Sequence, residues 1–401
     1  MRMLKFLTPL LCLMPTMAFS QNTPASADAD FSACIARLST EAKTTGISSN
    51  TIQDGLEKAK FNPRVIELDQ QQPEFTTTFA DYFNRRVTDQ RIKQGRKLYH
   101  EHRTLLDQVA KKYGVPAPYI LSFWGLETNY GSFFGKMSVL DSLATLACDP
   151  RRSEYFTSEL MDALRIIDEG AIQPERMEGS WAGAMGHVQF MPSAFLRHAV
   201  DYDGDGKRDL WNSIPDAMAS AAKFLQSLGW DAETRWGREI KLPTGFDYLQ
   251  AGLNNNRSLT EWAKSGVRQA DGSALPITDM NASLLVPAGH EGPAFLVYNN
   301  FNVIMRWNRS EFYALAVGHL ADRIAGAGGL IKEPPTDAPR LHRDQVIQLQ
   351  EKLQQAGIEL EKADGIFGPA TRQALGKFQQ QKNKVADGFP NTETLELLGI
   401  K

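Results

Sequence analysis

Three stretches of this 401-residue sequence gather residue types that can do chemistry. In LSFWGLETNYGS, Leu121 to Ser132, one acid, Glu127, follows an apolar and aromatic run. A glutamate near a helix end ordinarily caps, pairs with an arginine or faces water, and those readings stand beside a catalytic one. In a helix opened by Pro118, Phe123 falls at i−4 and Trp124 at i−3 from Glu127, which puts the carboxyl beside an aromatic wall. Desolvation there disfavours the charged form, and a carboxyl that keeps its proton near neutral pH meets the requirement for a general acid.

The second stretch is GSWAGAMGHVQFMPSAF, Gly179 to Phe195. Its glycines and alanines let backbone approach a ligand closely. Ser180 and Gln189 offer neutral hydrogen bonds, and Trp181 and Phe190 offer flat apolar faces. Sugars suit that mixture, because hydroxyl and acetamido groups need uncharged partners while ring faces stack on aromatics. Tight helix packing is the alternative use of small residues. The third stretch, DYDGDGKRDLW, spaces Asp201, Asp203 and Asp205 as positions 1, 3 and 5 of a calcium loop, with Gly206 at 6 and the Lys207 carbonyl at 7. Asn212 stands at position 12, where the usual loop has a bidentate glutamate, so a standard twelve-residue site is incomplete. A hydrated Asp-Gly turn is the alternative, although crowded like charges make it uncomfortable without a cation.

The elements that must position these residues are mostly helical. RTLLDQVAKKYGVP, DAMASAAKFLQSLGW and SEFYALAVGHLADRIAG each carry apolar residues at helical spacing. Extended stretches are few, the best being REIKLP and ASLLVPAG, so a small β element is expected. With 42% hydrophobic and 23% charged residues the chain can bury a sizeable core and build more than one domain. A net charge of −3 gives no overall field for nucleic acid.

Residues 1–20 read as a signal peptide: Arg2 and Lys5, an apolar run from Phe6 to Met17, then Ala18-Phe19-Ser20. Cys12 follows bulky Leu10 and Leu11, unlike a lipidated cysteine, and no later segment is long and apolar enough to span a bilayer. A soluble, exported, periplasmic protein is expected. Export would leave Cys34 and Cys148 as two thiols in an oxidising compartment, able to pair or to remain buried and free. Residues 21–30 are small and polar, a flexible leader. KEPPTDAPR, residues 332–340, has three prolines and reads as a stiff linker between a main domain, 31–331, and a tail, 341–401. In that tail Asp364-Gly365 leads to Thr371 and Asp387-Gly388 leads to Thr394, the same step twice, which marks a small repeat.

The order and spacing of GLETNYGSFFGKMSVLDSLATLACDPRRSEYF, GSWAGAMGHVQFMPSAF and DYDGDGKRDLWNSIPDAMASAAKFL resemble the membrane-bound lytic transglycosylase B family of bacterial cell-wall enzymes, from about Phe31 to Leu330. The tail VIQLQEKLQQAGIELEKADGIFGPATRQALGKFQQ resembles the three-helix peptidoglycan-binding module. The resemblance implies an α+β, mostly helical, lysozyme-like fold. It implies cleavage of the β-1,4 bond between N-acetylmuramic acid and N-acetylglucosamine, with Glu127 catalytic and Ser180, Gln189 and Phe190 in the glycan cleft.

Arg151 and Arg152 match an arginine pair near the substrate, the alternative being an ion pair with Glu154 or Asp149. The resemblance also implies Tyr298 and Asn300 as substrate-binding residues. Asp216 fits the acidic residue that closes the family's longer calcium loop. With no second carboxylate evidently accompanying Glu127 in the matched motifs, the muramoyl C6 hydroxyl can attack its own anomeric carbon and leave a 1,6-anhydro ring. A water-using muramidase, and a wall-binding scaffold without turnover, are the competing functions.

Overall fold

The computed structural model describes residues 24–71 and 77–400. The expected signal peptide lies outside the described residues. Within the expected leader, residues 24–30 are instead the start of a helix, Pro24–Thr44. Their small polar side chains suggested flexibility, yet a proline in the first turn followed by alanines is also a good helix opening.

Helices dominate, and their apolar faces meet in one large core that contains almost the whole of helix Ala117–Thr128. The expected helices stand as Arg103–Tyr113, Ile214–Ser227 and Glu311–Ile324. Helix Ala117–Thr128 is apolar on all sides, the pattern of a central helix. Ser122, fully buried on it, satisfies its hydroxyl by donating to the Val317 carbonyl at 2.7 Å, which bolts it to helix Glu311–Ile324.

Among the described residues the strands are β1 (Met137–Ser138), β2 (Glu178–Gly179), β3 (Gly237–Lys241), β4 (Gly252–Ser258), β5 (Arg268–Gln269), β6 (Asn281–Leu285) and β7 (Ala294–Val297). An antiparallel sheet of order β4-β6-β7-β3-β5 accounts for REIKLP and ASLLVPAG and covers a second core around Trp262. β1 and β2 form a separate pair, Met137 opposite Gly179. That small ladder ties the loop after Glu127 to the glycine-rich stretch.

Cys34 and Cys148 are bonded, closing a loop across 114 residues between helix Pro24–Thr44 and the end of helix Val139–Cys148. In the chain-entropy account a loop of that length restrains the unfolded chain by about 4–5 kcal/mol.

The tail forms three helices, Arg343–Gln355, Pro369–Gln381 and Thr392–Leu397, around a third core. Its repeat has a physical basis that the turns alone did not reveal. The buried Gln350 amide donates to Asp364, to the Ile366 carbonyl and to Thr371, and its oxygen accepts from Gly365 N. Gln379 does the same with Asp387, Phe389, Thr394 and Gly388. Each Asp-Gly turn is thus held from inside by a helix glutamine.

This module is docked, not freely tethered. Segment 332–340 is laid on the main domain: Lys332 N donates to Glu239 at 2.8 Å, and Arg340 makes a two-pronged contact with Asp81 at 2.8 and 3.0 Å. The buried Asp387 accepts from His290 N at 2.8 Å and meets His290 Nδ1 at 2.6 Å, while Arg372 pairs with Glu311 at 3.2 Å. Replacing His290 by alanine removes one partner from a buried carboxylate and should open this joint roughly tenfold more often. Trypsin cleavage at Lys332 and Arg340 should accelerate accordingly in the full chain; an unchanged rate would mean the joint is held elsewhere.

Candidate active site

Glu127 is the last residue but one of helix Ala117–Thr128, which starts one residue ahead of Pro118. Two contacts fix that helix end against the glycine-rich stretch, and a third ties it to the loop that follows. Trp124 Nε1 donates to His187 Nδ1 at 2.9 Å, Thr128 Oγ1 donates to the His187 carbonyl at 2.7 Å, and Gly131 N donates to Thr128 Oγ1 at 3.0 Å. His187 must be neutral at Nδ1 to accept, and burial favours that state, lowering it from 6.5 to about 4.

Two donors converge on Oε1 of Glu127: Trp307 Nε1 at 2.9 Å and the Tyr313 hydroxyl at 2.5 Å. Trp307 ends helix Asn299–Trp307 and Tyr313 lies in the first turn of helix Glu311–Ile324, so one tight corner delivers both. Burial, followed by the Glu127 charge, pushes the Tyr313 phenol well above its ordinary 10, so it remains a donor. Phe123 lies beneath them, 4.5 Å from the Trp307 ring and 6.1 Å from that of Tyr313. The aromatic wall foreseen from Phe123 and Trp124 is therefore built from Phe123, Trp307 and Tyr313, with Trp124 turned to His187. Neither donor was foreseen. Tyr313 lies in the helical stretch SEFYALAVGHLADRIAG and Trp307 just before it, and nothing local distinguishes either.

The residues expected to line the cleft divide into two groups. Ser180 Oγ accepts from Ala184 N at 3.0 Å and Ala182 N at 3.3 Å, which folds the glycine-rich turn. Gln189 has a left-handed backbone, φ 50°, and its amide nitrogen spans the gap between the Phe134 and Gly186 carbonyls at 3.1 Å each. Both remain partly exposed beside the acid helix.

Phe190, expected as a stacking face, is 2% exposed. It packs on Trp307 at 5.5 Å and on Phe224 at 5.3 Å, so its contribution is to support Trp307 from behind. Tyr298 is buried in the sheet core. Asn300 is fully buried and accepts from Asp231 N at 2.9 Å while donating to the Asp231 and Thr234 carbonyls, which staples a loop. The Arg151 and Arg152 side chains both pair with the buried Asp69 rather than with Glu154 or Asp149, while Arg151 N donates to Asp149 at 2.9 Å. Two guanidinium groups on one carboxylate leave net positive charge, and both side chains stay over a third exposed, 47% and 39%.

Residues 30–322 match the family model "Transglycosylase SLT domain" and residues 342–398 match "Putative peptidoglycan binding domain". The chain belongs to the SLT transglycosylase family. The membrane-bound lytic murein transglycosylase B of Escherichia coli K12 is 31% identical over 297 residues, covering 70% of this chain and 79% of the relative. SltB3 of Pseudomonas aeruginosa, solved in complex with NAG-anhNAM-pentapeptide, superposes with a TM-score of 0.89 at 41% identity, over 92% of this chain and 99% of that one. The E. coli lytic transglycosylase Slt35, solved in complex with calcium, gives 0.63 at 31% identity, over 76% and 93%. The expected mostly helical, lysozyme-like catalytic domain followed by a peptidoglycan-binding module is thereby met, and with it the expected class of enzyme.

In this SLT transglycosylase the acidic loop brings side-chain oxygens of Asp201, Asp203 and Asp205 within 4.8 Å of one another, all exposed. The turn is drawn tight by Gly204 N and Gly206 N donating to Asp201 and Lys207 N donating to Asp205. Asp216 is not part of that group. It is fully buried and accepts from the Tyr202, Asp203 and Asp209 amides at 2.7, 3.4 and 2.9 Å, clamping the loop from inside. A buried carboxylate surrounded by amides is satisfied by them.

His319, like His187, is buried and lowered from 6.5 to about 4. Below pH 6.5 the unfolded chain takes a proton on each that the folded chain refuses until about 4, so stability is complete above 6.5 and is lost as the pH falls through that window. Each histidine accounts for up to about 3 kcal/mol. Urea midpoints should therefore fall between pH 6.5 and 4, and His319→Gln should remove about half of the slope contributed by this pair.

Proposed function

We propose that this protein is an exported, periplasmic lytic transglycosylase that cleaves the β-1,4 bond between N-acetylmuramic acid and N-acetylglucosamine in peptidoglycan, leaving 1,6-anhydro ends. The observation that carries the reading is the Glu127 carboxyl, held on one oxygen by Trp307 and Tyr313 beside the glycine-rich turn. Glu127 gives its proton to the glycosidic oxygen as the bond from that oxygen to the anomeric carbon breaks. The Trp307 and Tyr313 donors then stabilise the carboxylate that remains. That carboxylate takes the proton of the muramoyl C6 hydroxyl as its oxygen closes on the anomeric carbon, and the acid is restored. Intramolecular attack avoids capturing a water.

Around that step, Ser180 and Gln189 border the glycan. Arg151 and Arg152, pinned by Asp69, present exposed guanidinium edges suited to carboxylates of the lactyl group or peptide stem. The module encompassing residues 342–398 anchors the enzyme to the wall. The Cys34–Cys148 bond suits an oxidising compartment, and among the described residues no helix is long and apolar enough to cross a membrane.

Calcium fits the acidic loop: its donors are hard oxygens, three carboxylates crowd within 4.8 Å, and a cation would relieve their repulsion. Asp201, Asp203, Asp205 and the Lys207 carbonyl would hold it, with Asp216 fixing the loop beneath. Its contribution is structural.

Glu127→Gln should keep fold and glycan binding but lose turnover by several orders of magnitude, since an amide cannot donate the proton. Mass spectrometry of digested sacculi should give anhydro-muropeptides with the unaltered protein; reducing ends would make it a muramidase, and glycan binding without turnover a scaffold. Calcium at a hundred times its Kd should add about 2.7 kcal/mol to stability and raise the melting temperature by several degrees. Asp203→Ala/Asp205→Ala should abolish that shift. A shift that persists in the double variant would put the ion elsewhere.

A further inference from the structure

Phe133 leaves 60% of its surface exposed, six residues after Glu127. Its backbone is nevertheless among the most constrained at the site. Phe133 N donates to the carbonyl of Thr128, the neighbour of Glu127, at 3.1 Å. Gln189 Nε2 donates to the next carbonyl, that of Phe134, at 3.1 Å. The segment before it is left-handed at three successive residues, Asn129, Tyr130 and Gly131, with φ of 49°, 60° and 77°.

Both flanking glycines lie against the opposite wall. A Cβ on Gly131 would come within 2.4 Å of His187, and one on Gly135 within 2.0 Å of the Gly179 carbonyl. The Phe134 ring meets His187 edge-on at 4.7 Å. The loop is therefore fastened to both sides of the site, while the Phe133 ring projects into solvent.

Isolated exposed apolar side chains are common and carry little meaning. Ile277, 75% exposed on a loop beside the sheet, is one. Phe133 differs in being a flat ring on a fixed backbone, six residues after Glu127, with its own amide tied to the acid's helix end and the next carbonyl bridged to the glycine-rich turn. A pyranose ring has a C–H face that packs on an aromatic plane and a hydroxyl rim that stays wet, which is the complement of a half-exposed phenyl. We infer that Phe133 is a substrate-binding platform that stacks on a sugar ring of the glycan strand close to the cleaved bond. This rests on the glycan reading of the site.

The test is calorimetric binding of soluble, uncrosslinked peptidoglycan strands to the full-length Glu127→Gln protein, with Phe133→Ala and Phe133→Trp added in turn. Loss of a stacking contact should weaken Kd about fivefold to tenfold for the alanine variant. Tryptophan should restore it to within about twofold, with the melting temperature unchanged in both. Ile277→Ala serves as the exposed control. The inference falls if the alanine variant binds within about twofold of its parent, if tryptophan binds as poorly as alanine, or if the melting temperature drops with affinity. Turnover by the unaltered protein decides the transglycosylase reading separately, so the two can fail independently.

Discussion

One carboxylate oxygen, Oε1 of Glu127, receives hydrogen bonds from donors 180 and 186 residues further along the chain. The main domain is arranged around that meeting. Helix Ala117–Thr128 must be buried to carry the acid into an apolar setting, so its sides are covered by other helices. Helix Glu311–Ile324, bolted to it through Ser122 and Val317, brings Tyr313 to the acid, and the corner before it brings Trp307. No fragment of the domain contains both the acid and its partners unless the chain between them has folded.

Support for the acid extends outward in layers of decreasing polarity. Trp307 is wedged by Phe123, Phe190 and Phe224 at 4.5 to 5.5 Å. These rings contribute nothing polar, yet they fix where an N–H points, and a donor that need not reorganise serves developing charge better than a mobile one. On the opposite side Trp124, Thr128 and His187 lock the helix end to the glycine-rich turn. The acid therefore stands between two rigid walls whose positions are set by different parts of the chain.

What the sequence made legible was local. Glu127, the spacing of the three loop aspartates and the doubled Asp-Gly step are patterns within a dozen or so residues. What it hid is distant, Trp307 and Tyr313 and the Asp69 clamp on Arg151 and Arg152, or lacks any mark of its own, as do the nearby glutamines Gln350 and Gln379 that hold the module's turns. Residue type misled where burial mattered. Phe190, Tyr298 and Asn300 have side chains that could line a sugar cleft, but each is almost fully covered. An aromatic on the face of a wall and one behind it read alike in sequence. Asp216 shows the same ambiguity for a carboxylate, because backbone amides satisfy it as readily as a cation could.

The C-terminal module contains its turn twice, with the same internal hydrogen bonds, but only Asp387 is turned toward the main domain; Asp364 is exposed. Beside the His290–Asp387 contact, Phe389 fits where Gly289 has no side chain. A Cβ at position 289 would come within 2.7 Å of Phe389 and 2.8 Å of Asp387, so that glycine lets the module sit this close to the main domain.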